Sequence, residues 1–474
     1  MFKKHEKFSL TEGPVFWRII LFVIPIMLTG ILQVFYSMAD NIIVGRFSSN
    51  ENALGAVGST TSLTNLILNM MFGISSGTAV VVAQSFGAKR DRDVSRTVHT
   101  SLTFSVFIGI FLMAVGLLIS RPALELMDTK PELIDDAVLY MRIICLGIPA
   151  TSIYNFGAAI LRSVGDSKTP LYILSISGIL NVLLNLLFIL AFNMSVDGVA
   201  YATIISQYLS AVAVVTILML RKNRSYTFSF NQLCFDTTIM KRILRFGIPA
   251  GIQSSLFNVA NILLTNGINT LPSKHTIKAY TITNNIDALT YTACNSFMQA
   301  AMTFTGQNYG AKKPERIKKI LIFSIIQVTV VGLTIGILEL VFSNQLSSLY
   351  INAQDPNREE IMSIARDMMM LLLPTYFLCG IMETLAGTLR GLGYSLSPML
   401  ATLACACGFR IIWRFVVFPL EKFNSPVGLL LCFPISWVMT ISIHIILLTL
   451  AFRKLKKLMP QKSTTFKEQT ANVN

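Results

Sequence analysis

Ala83-Gln-Ser-Phe-Gly-Ala-Lys-Arg90 recurs as Gly306-Gln-Asn-Tyr-Gly-Ala-Lys-Lys313, and Leu161-Arg-Ser-Val-Gly-Asp-Ser-Lys-Thr-Pro170 recurs as Leu389-Arg-Gly-Leu-Gly-Tyr-Ser-Leu-Ser-Pro398. Two weaker matches keep the same order: Ile24-Pro25 with Ile248-Pro249, and Gly198 near Ser206 with Gly428 near Ser436. Four matches at nearly one displacement, about 225 residues, make the chain a duplication.

What is duplicated follows from composition. Of the 474 residues, 53% are hydrophobic and 13% charged. A soluble domain carries roughly 25% charged residues, so most of this surface cannot face water. Apolar runs near the ~20 residues needed to cross a bilayer core recur along the chain. They include residues 19–44, 101–118, 171–192, 201–220, 320–342 and 429–452. The first is too long for a signal peptide and is kept as a helix. Each half has room for six crossings. Six is even, so both halves enter from one side, and the axis relating them runs along the membrane normal. The expected fold is an all-α integral membrane protein: twelve transmembrane helices in two six-helix bundles related by a pseudo-twofold. The expected divisions are a first bundle over 1–220, a cytoplasmic linker over 221–245, a second bundle over 246–455 and a disordered cytoplasmic tail over 456–474.

The net charge of +15 does not point to nucleic acid. Lys and Arg sit in alternate loops, as at Lys89–Arg96, Arg221–Arg245 and Lys312–Lys319, and near both ends, while the intervening loops are richer in acid. That bias places both termini in the cytoplasm of a multi-pass protein of the plasma membrane. The seven cysteines are scattered, with no CxxC pair and no disulfide framework. No Walker A, HExxH or GxSxG sequence is present. Neither an enzyme nor a cofactor is expected, and transport driven by ATP hydrolysed on this chain is disfavoured.

The paired motifs have mechanical readings. Gly87 and Gly310, each in Gly-Ala-Lys, are expected to end a helix with positive φ. The stretch from Arg162 to Pro170, like that from Arg390 to Pro398, reads as a tight turn and then a helix start at the proline. Both motifs are structural first, with gating as the alternative.

Ionisable groups inside hydrocarbon cost roughly 3 kcal/mol on insertion scales, so they face a cavity or a partner. Asp40 is the sharpest case. Gln33, Tyr36, Ser37 and Asp40 lie at i, i+3, i+4 and i+7 on one helix face, and Pro25 earlier in that helix permits a kink. Asp40 either closes the bundle through a hydrogen bond or carries a coupling ion. Ser177, Asn181 and Asn185 share one face, as do Thr203 and Ser206. In the second half, Ser254, Asn258, Asn261 and Thr265 share a face of helix seven. Asn284, Asp287, Tyr291 and Asn295 share one of helix eight. Gln33, Tyr36, Ser37, Asn258, Asn261, Asn284, Tyr291 and Asn295 are expected to line a substrate cavity. Arg410 needs an anion, Glu383 or Asp287, in a charged network that is either a static bridge or a switch. Glu339 is expected at the outer interface, and His444 as a buried neutral partner.

Pro25…Gln33-x-x-Tyr36…Asp40, then Gln-x-x-Gly-Ala-Lys, Leu-Arg-x-x-Gly-Asp-x-x-Thr-Pro and the second Gln-Asn-Tyr-Gly-Ala-Lys resemble the multidrug and toxic compound extrusion (MATE) family. The resemblance covers all but about the last 15 residues. It implies a V-shaped cavity between two bundles and export of organic cations against inward flow of H⁺ or Na⁺. It also implies a coupling-ion site on helices one, five and six, here Asp40, Asn181, Asn185 and Thr203. The chain departs from the family pattern at Asn185, where a second Asp is common. A single carboxylate weakens a tight Na⁺ site, because hard cations prefer charged oxygens. Protonation of Asp40 is then the simpler coupling event.

The leading expectation is a monomeric antiporter in the lipid bilayer, exporting small amphipathic cations or drugs, with no metal beyond Na⁺. A flippase for lipid-linked or polysaccharide intermediates is the alternative, and it needs a strongly basic cavity. An intramembrane enzyme or receptor lacks a nucleophile, a base or a metal constellation.

Overall fold

The computed structural model describes residues 10–47, 53–127, 129–273, 275–351 and 354–458. The expected tail therefore lies outside the described residues from 459 onward, as does the start of the first bundle before residue 10. Among the described residues the chain is helical throughout, without strands.

Six crossings make the first half: α1 (Val15–Phe47), α2 (Ala53–Gly87), α3 (Asp91–Leu126), α4 (Pro131–Leu146, continued by Ile148–Ser163), α5 (Lys168–Leu186, continued by Leu187–Ala191) and α6 (Val196–Leu220). The second half repeats them: α7 (Thr237–Asn269), α8 (His275–Gly310), α9 (Pro314–Val341), α10 (Arg358–Leu372 and Tyr376–Gly391), α11 (Leu396–Thr402, running on through Trp413–Val417) and α12 (Pro426–Leu430 and Cys432–Leu458). Nine of these are long and apolar enough to cross a membrane, and α4 makes a tenth. It bends by 45° at Gly147, where Pro149 withholds a backbone N–H. The remaining two, α7 and α8, contain 33 and 36 residues. At ~1.5 Å per residue each reaches about 50 Å, enough to cross. They escape a search for apolar runs because they carry the polar faces of the second half.

The exterior is studded with apolar side chains. Phe107, Phe111, Leu118, Phe415 and Val416 all point outward, Leu118 with 78% of its surface free. No soluble chain exposes such a belt without aggregating; a lipid-facing wall does.

Contact between the halves runs along α2, which packs on α7 and α8, while α1 packs on α8. The repeated motif explains the closeness. A Cβ on Gly87 would sit 1.9 Å from the Gln307 carbonyl oxygen, and one on Gly310 would sit 2.0 Å from that of Gln84. Each glycine thus admits the opposite half's backbone. Neither takes the positive φ expected of it. Both stay helical, and Lys89 and Lys312 two residues on take the left-handed turn, at φ 56° and 55°. In the second motif Gly165 and Gly393 do make the tight turn, at φ 98° and 93°.

Two glutamines complete a reciprocal clasp. Gln84 Nε2 donates to the Gly391 carbonyl at 3.0 Å, and Gln307 Nε2 donates to the Ser163 carbonyl at 2.7 Å. Each first-motif glutamine holds the second motif of the other half, as a twofold relation requires. Between the halves, α7 begins earlier than expected. The Asp236 side chain accepts the Thr238 and Ile239 N–H groups at 2.9 and 3.2 Å and caps the helix. The stretch expected as a linker over 221–245 is therefore loop only as far as Asp236. Arg221 ties its start to Asp166 and Thr169 in the α4–α5 turn.

Candidate functional site

Helix α1 brings the first polar group into the bundle. Pro25 lies inside it, and Thr29 Oγ1 donates to the Pro25 carbonyl at 2.7 Å. Further along, the Tyr36 hydroxyl donates to the Ser175 carbonyl of α5 at 3.3 Å. The Tyr36 ring lies where Gly178 has no side chain; a Cβ there would be 1.9 Å from ring carbon Cε2. That glycine lets α1 lie close on α5, so one turn beyond Tyr36 the Asp40 carboxylate meets Asn185.

Asn185 Nδ2 donates to Asp40 Oδ1 at 2.5 Å and reaches Asn181 Oδ1 at 3.4 Å. Asn181 Nδ2 in turn donates to Thr203 Oγ1 of α6 at 3.4 Å. The four residues from three helices form one connected chain of polar contacts. Asn185 is fully buried, and its Oδ1 has no hydrogen-bond partner among the described residues. Tyr140 of α4 lies within electrostatic reach of Asp40. Sequence reading missed it, because one tyrosine in an apolar helix carries no pattern. Ser177 and Ser206 spend their hydroxyls on their own helices, at the Leu174 and Ala202 carbonyls. Gln33 and Ser37 lie on exposed surface of α1 beside Tyr36.

The donor set around Asp40 is all oxygen apart from the Asn185 and Asn181 amide nitrogens, and it holds one charge. One proton needs one carboxylate oxygen. A hard metal cation needs a cage of several oxygens, preferably with more charge. Among the described residues no cluster of three His, Cys, Asp or Glu side chains could hold a metal ion.

The second half is arranged otherwise. The network expected of Asp287, Glu383 and Arg410 is not formed: among the described residues no ion pair links Arg410 to either acid. Arg410 is fully buried, and its Nε donates to Ser436 Oγ at 3.1 Å and its Nη1 to Asn261 Oδ1 at 3.3 Å. Its guanidinium lies over the rings of Phe257 and Phe433, 4.8 and 4.1 Å from their centroids. The physical reason is local. Wide turns at Leu403–Gly408 and Trp413–Val417, with i→i+5 hydrogen bonding, flank Arg410. Each wide turn inserts a residue and swings the downstream face by roughly 100°, which a regular-helix reading misplaces.

Glu383 instead feels the charge of Arg390, seven residues on, and Arg390 Nη2 donates to Gln253 Oε1 of α7 at 2.9 Å. Asp287 is bonded to the Tyr376 hydroxyl. Asn295 Nδ2 contacts the Tyr291 hydroxyl at 3.4 Å, and Asn258 Nδ2 bonds the Ser254 carbonyl of its own helix at 3.1 Å. Asn284 is exposed on α8. Glu339, near the end of α9, is buried rather than turned to the surface: only 6% of it is exposed, and Thr290 Oγ1 of α8 donates to its Oε2 at 2.7 Å. His444 is fully buried, with Nε2 3.5 Å from the Pro398 carbonyl.

The MatE family model matches residues 25–187 and 249–416, one stretch in each half. Probable multidrug resistance protein YoeA of Bacillus subtilis is 30% identical over 85% of this chain and 87% of its own length. Probable multidrug resistance protein NorM of Thermotoga maritima is 24% identical over 84% of this chain and 85% of its own. A MOP superfamily transporter of known structure from Pyrococcus furiosus, 20% identical, superposes with a TM-score of 0.89 over 96% of this chain and all of that one.

Proposed function

Because the chain belongs to the MatE family of multidrug transporters, we propose that it is a secondary efflux transporter exporting amphipathic organic cations by antiport with protons, and that Asp40 is the proton carrier. The observation that carries this reading is the position of Asp40, held by Asn185 in a chain of polar contacts that joins α1, α5 and α6. A buried carboxylate whose partner is an amide can exchange its charge for a proton without dismantling a salt bridge.

In the proposed cycle Asp40 takes up a proton from the outer side. Neutralisation weakens its charge-assisted bond to Asn185, and α1 shifts against α5 near Pro25. The cavity between the bundles then sheds its cation outward, and the halves rock to expose the site inward. Gln33, Tyr36 and Ser37 on α1, with Asn258, Asn261, Asn284, Tyr291 and Asn295 on α7 and α8, line the substrate path in this reading. The protein sits in the plasma membrane as a monomer with both ends cytoplasmic. The flippase alternative is less well supported, because Arg410 is enclosed by aromatic rings and amides rather than turned to a basic cavity.

The test is dye efflux from proteoliposomes with pH and sodium gradients imposed separately. A pH gradient should drive efflux in the parent, and Asp40→Asn should abolish it while the protein still inserts and melts normally. Efflux at the parent rate from Asp40→Asn would remove Asp40 from the mechanism. Efflux driven by sodium alone would replace the proton.

A further inference from the structure

A cleft of about 390 Å³ lies between the two halves on the back of α1, the face turned away from Asp40's partners. Ile31 and Phe35 of α1, Leu289 of α8, and Ile335 and Leu338 of α9 form apolar walls, and Glu339 contributes the one charged group lining it among the described residues. Phe342 adds a second ring. Glu339 is more than nine-tenths buried, and only half of its carboxylate is spoken for. Oε2 accepts from Thr290, while Oε1 is buried with no hydrogen-bond partner among the described residues. Asp287 is a second acid within electrostatic reach of it.

A buried, half-satisfied carboxylate at the wall of an apolar cleft is costly unless something positive visits it. The cleft has the two properties that a lipophilic cation requires. Its walls match an apolar body, and its aromatic rings, with the Glu339 carboxylate enclosed just behind the wall, match a single diffuse positive charge. A metal ion would lack further oxygen ligands, and an anion would meet Glu339 with no basic partner. We propose that this α1–α8–α9 cleft is a second binding site, for a membrane-soluble monovalent organic cation, with Glu339 as the group that recognises its charge. The site rests on the proposed function only for the class of ligand. It is separate from the polar chain at Asp40, though it shares α1 with it: Ile31 and Phe35 face the cleft, and Tyr36 and Asp40 face α5.

Equilibrium binding of tetraphenylphosphonium to the purified full chain in phosphatidylcholine nanodiscs tests this, with tetraphenylborate as a probe of equal shape and opposite charge. Glu339→Gln should weaken binding at this site by at least about tenfold, so that the bound phosphonium per chain falls by one. Ile335→Trp, which fills the cleft and leaves the carboxylate charge in place, should remove the same site and serves if Glu339→Gln misfolds. Asp40→Asn should lose coupled efflux and keep phosphonium binding here, which separates failure of the proton mechanism from failure of this site. Unchanged phosphonium binding in both cleft variants would overturn the proposal. So would equal binding of tetraphenylborate lost in Ile335→Trp, since the cleft would then hold any apolar body, a lipid tail included.

Discussion

The polar interiors of the two halves differ more than their frames do. In the first half Asp40, Asn185, Asn181 and Thr203 touch one another in a single chain across three helices. In the second, Asp287, Glu339 and Glu383 each take a different partner, Tyr376, Thr290 and Arg390, and Arg410 is wrapped by amide, hydroxyl and aromatic groups. Yet the loop motifs that join the halves match almost residue for residue, and their glutamines clasp each other's half. Duplication has kept what fixes helices against helices and has let the buried charges diverge. In the first half the polar groups are joined by hydrogen bonds; in the second, Asp287 and Glu339 influence each other through space but are bonded to separate partners.

The comparison breaks most visibly at Asn185. Restoring a second carboxylate with Asn185→Asp should turn the first-half site toward sodium, so that an imposed sodium gradient accelerates dye efflux at least about tenfold over the parent, roughly 1.4 kcal/mol of coupling. No sodium response would mean that the oxygens of Asn181 and Thr203 do not converge on a cation. A smaller effect is expected in the second half. Glu383→Gln and Arg410→Gln should add within about 0.5 kcal/mol in thermal stability, because the residues share no contact. A coupling beyond about 1 kcal/mol in that double-mutant cycle would restore the bridge that their sequence positions first proposed.

The smallest effect lies in the loop before α10. The Asn357 backbone N–H, with the largely exposed Lys278 ammonium beside it, holds the half-buried Asp355 carboxyl below its usual range. A depressed folded-state value means that the pair's contribution is present above the unfolded value and lost as pH falls through the lower folded one. Exposed pairs are worth little. Asp355→Asn should therefore leave the melting temperature near the parent's at pH 7, and NMR should titrate Asp355 below a model peptide. A large drop in melting temperature would mark this pair as structural.

Much of this was legible before any coordinates. The duplication, the number of crossings and the need of Asp40 for a polar partner follow from repeats, apolar runs and one acid in the wrong solvent. The polar stripes on α7 and α8 were also visible, and they are why those two helices fail an apolar count. Three features were not. Gly87 and Gly310 do end their helices, but without positive φ, and their second role as crossing points was hidden, because a close approach by another helix leaves no local pattern. The partner of Arg410 could not be read through two wide turns. Glu339 stands near a helix end, and nothing in its own segment told that Thr290 of α8 bonds it and that α1 lies across from it.

Sequence by itself determined that this chain lives in a bilayer, that it is two copies of one six-helix plan, and that Asp40 must have company. Those are consequences of solvent and periodicity, which act on every residue in its own segment. Tertiary structure alone decided which side chains keep that company: Asn185 for Asp40, rings and amides rather than an acid for Arg410, and Thr290 for Glu339. Pairing depends on the rotation and spacing of helices far apart in the chain, and a single inserted turn or absent Cβ resets it.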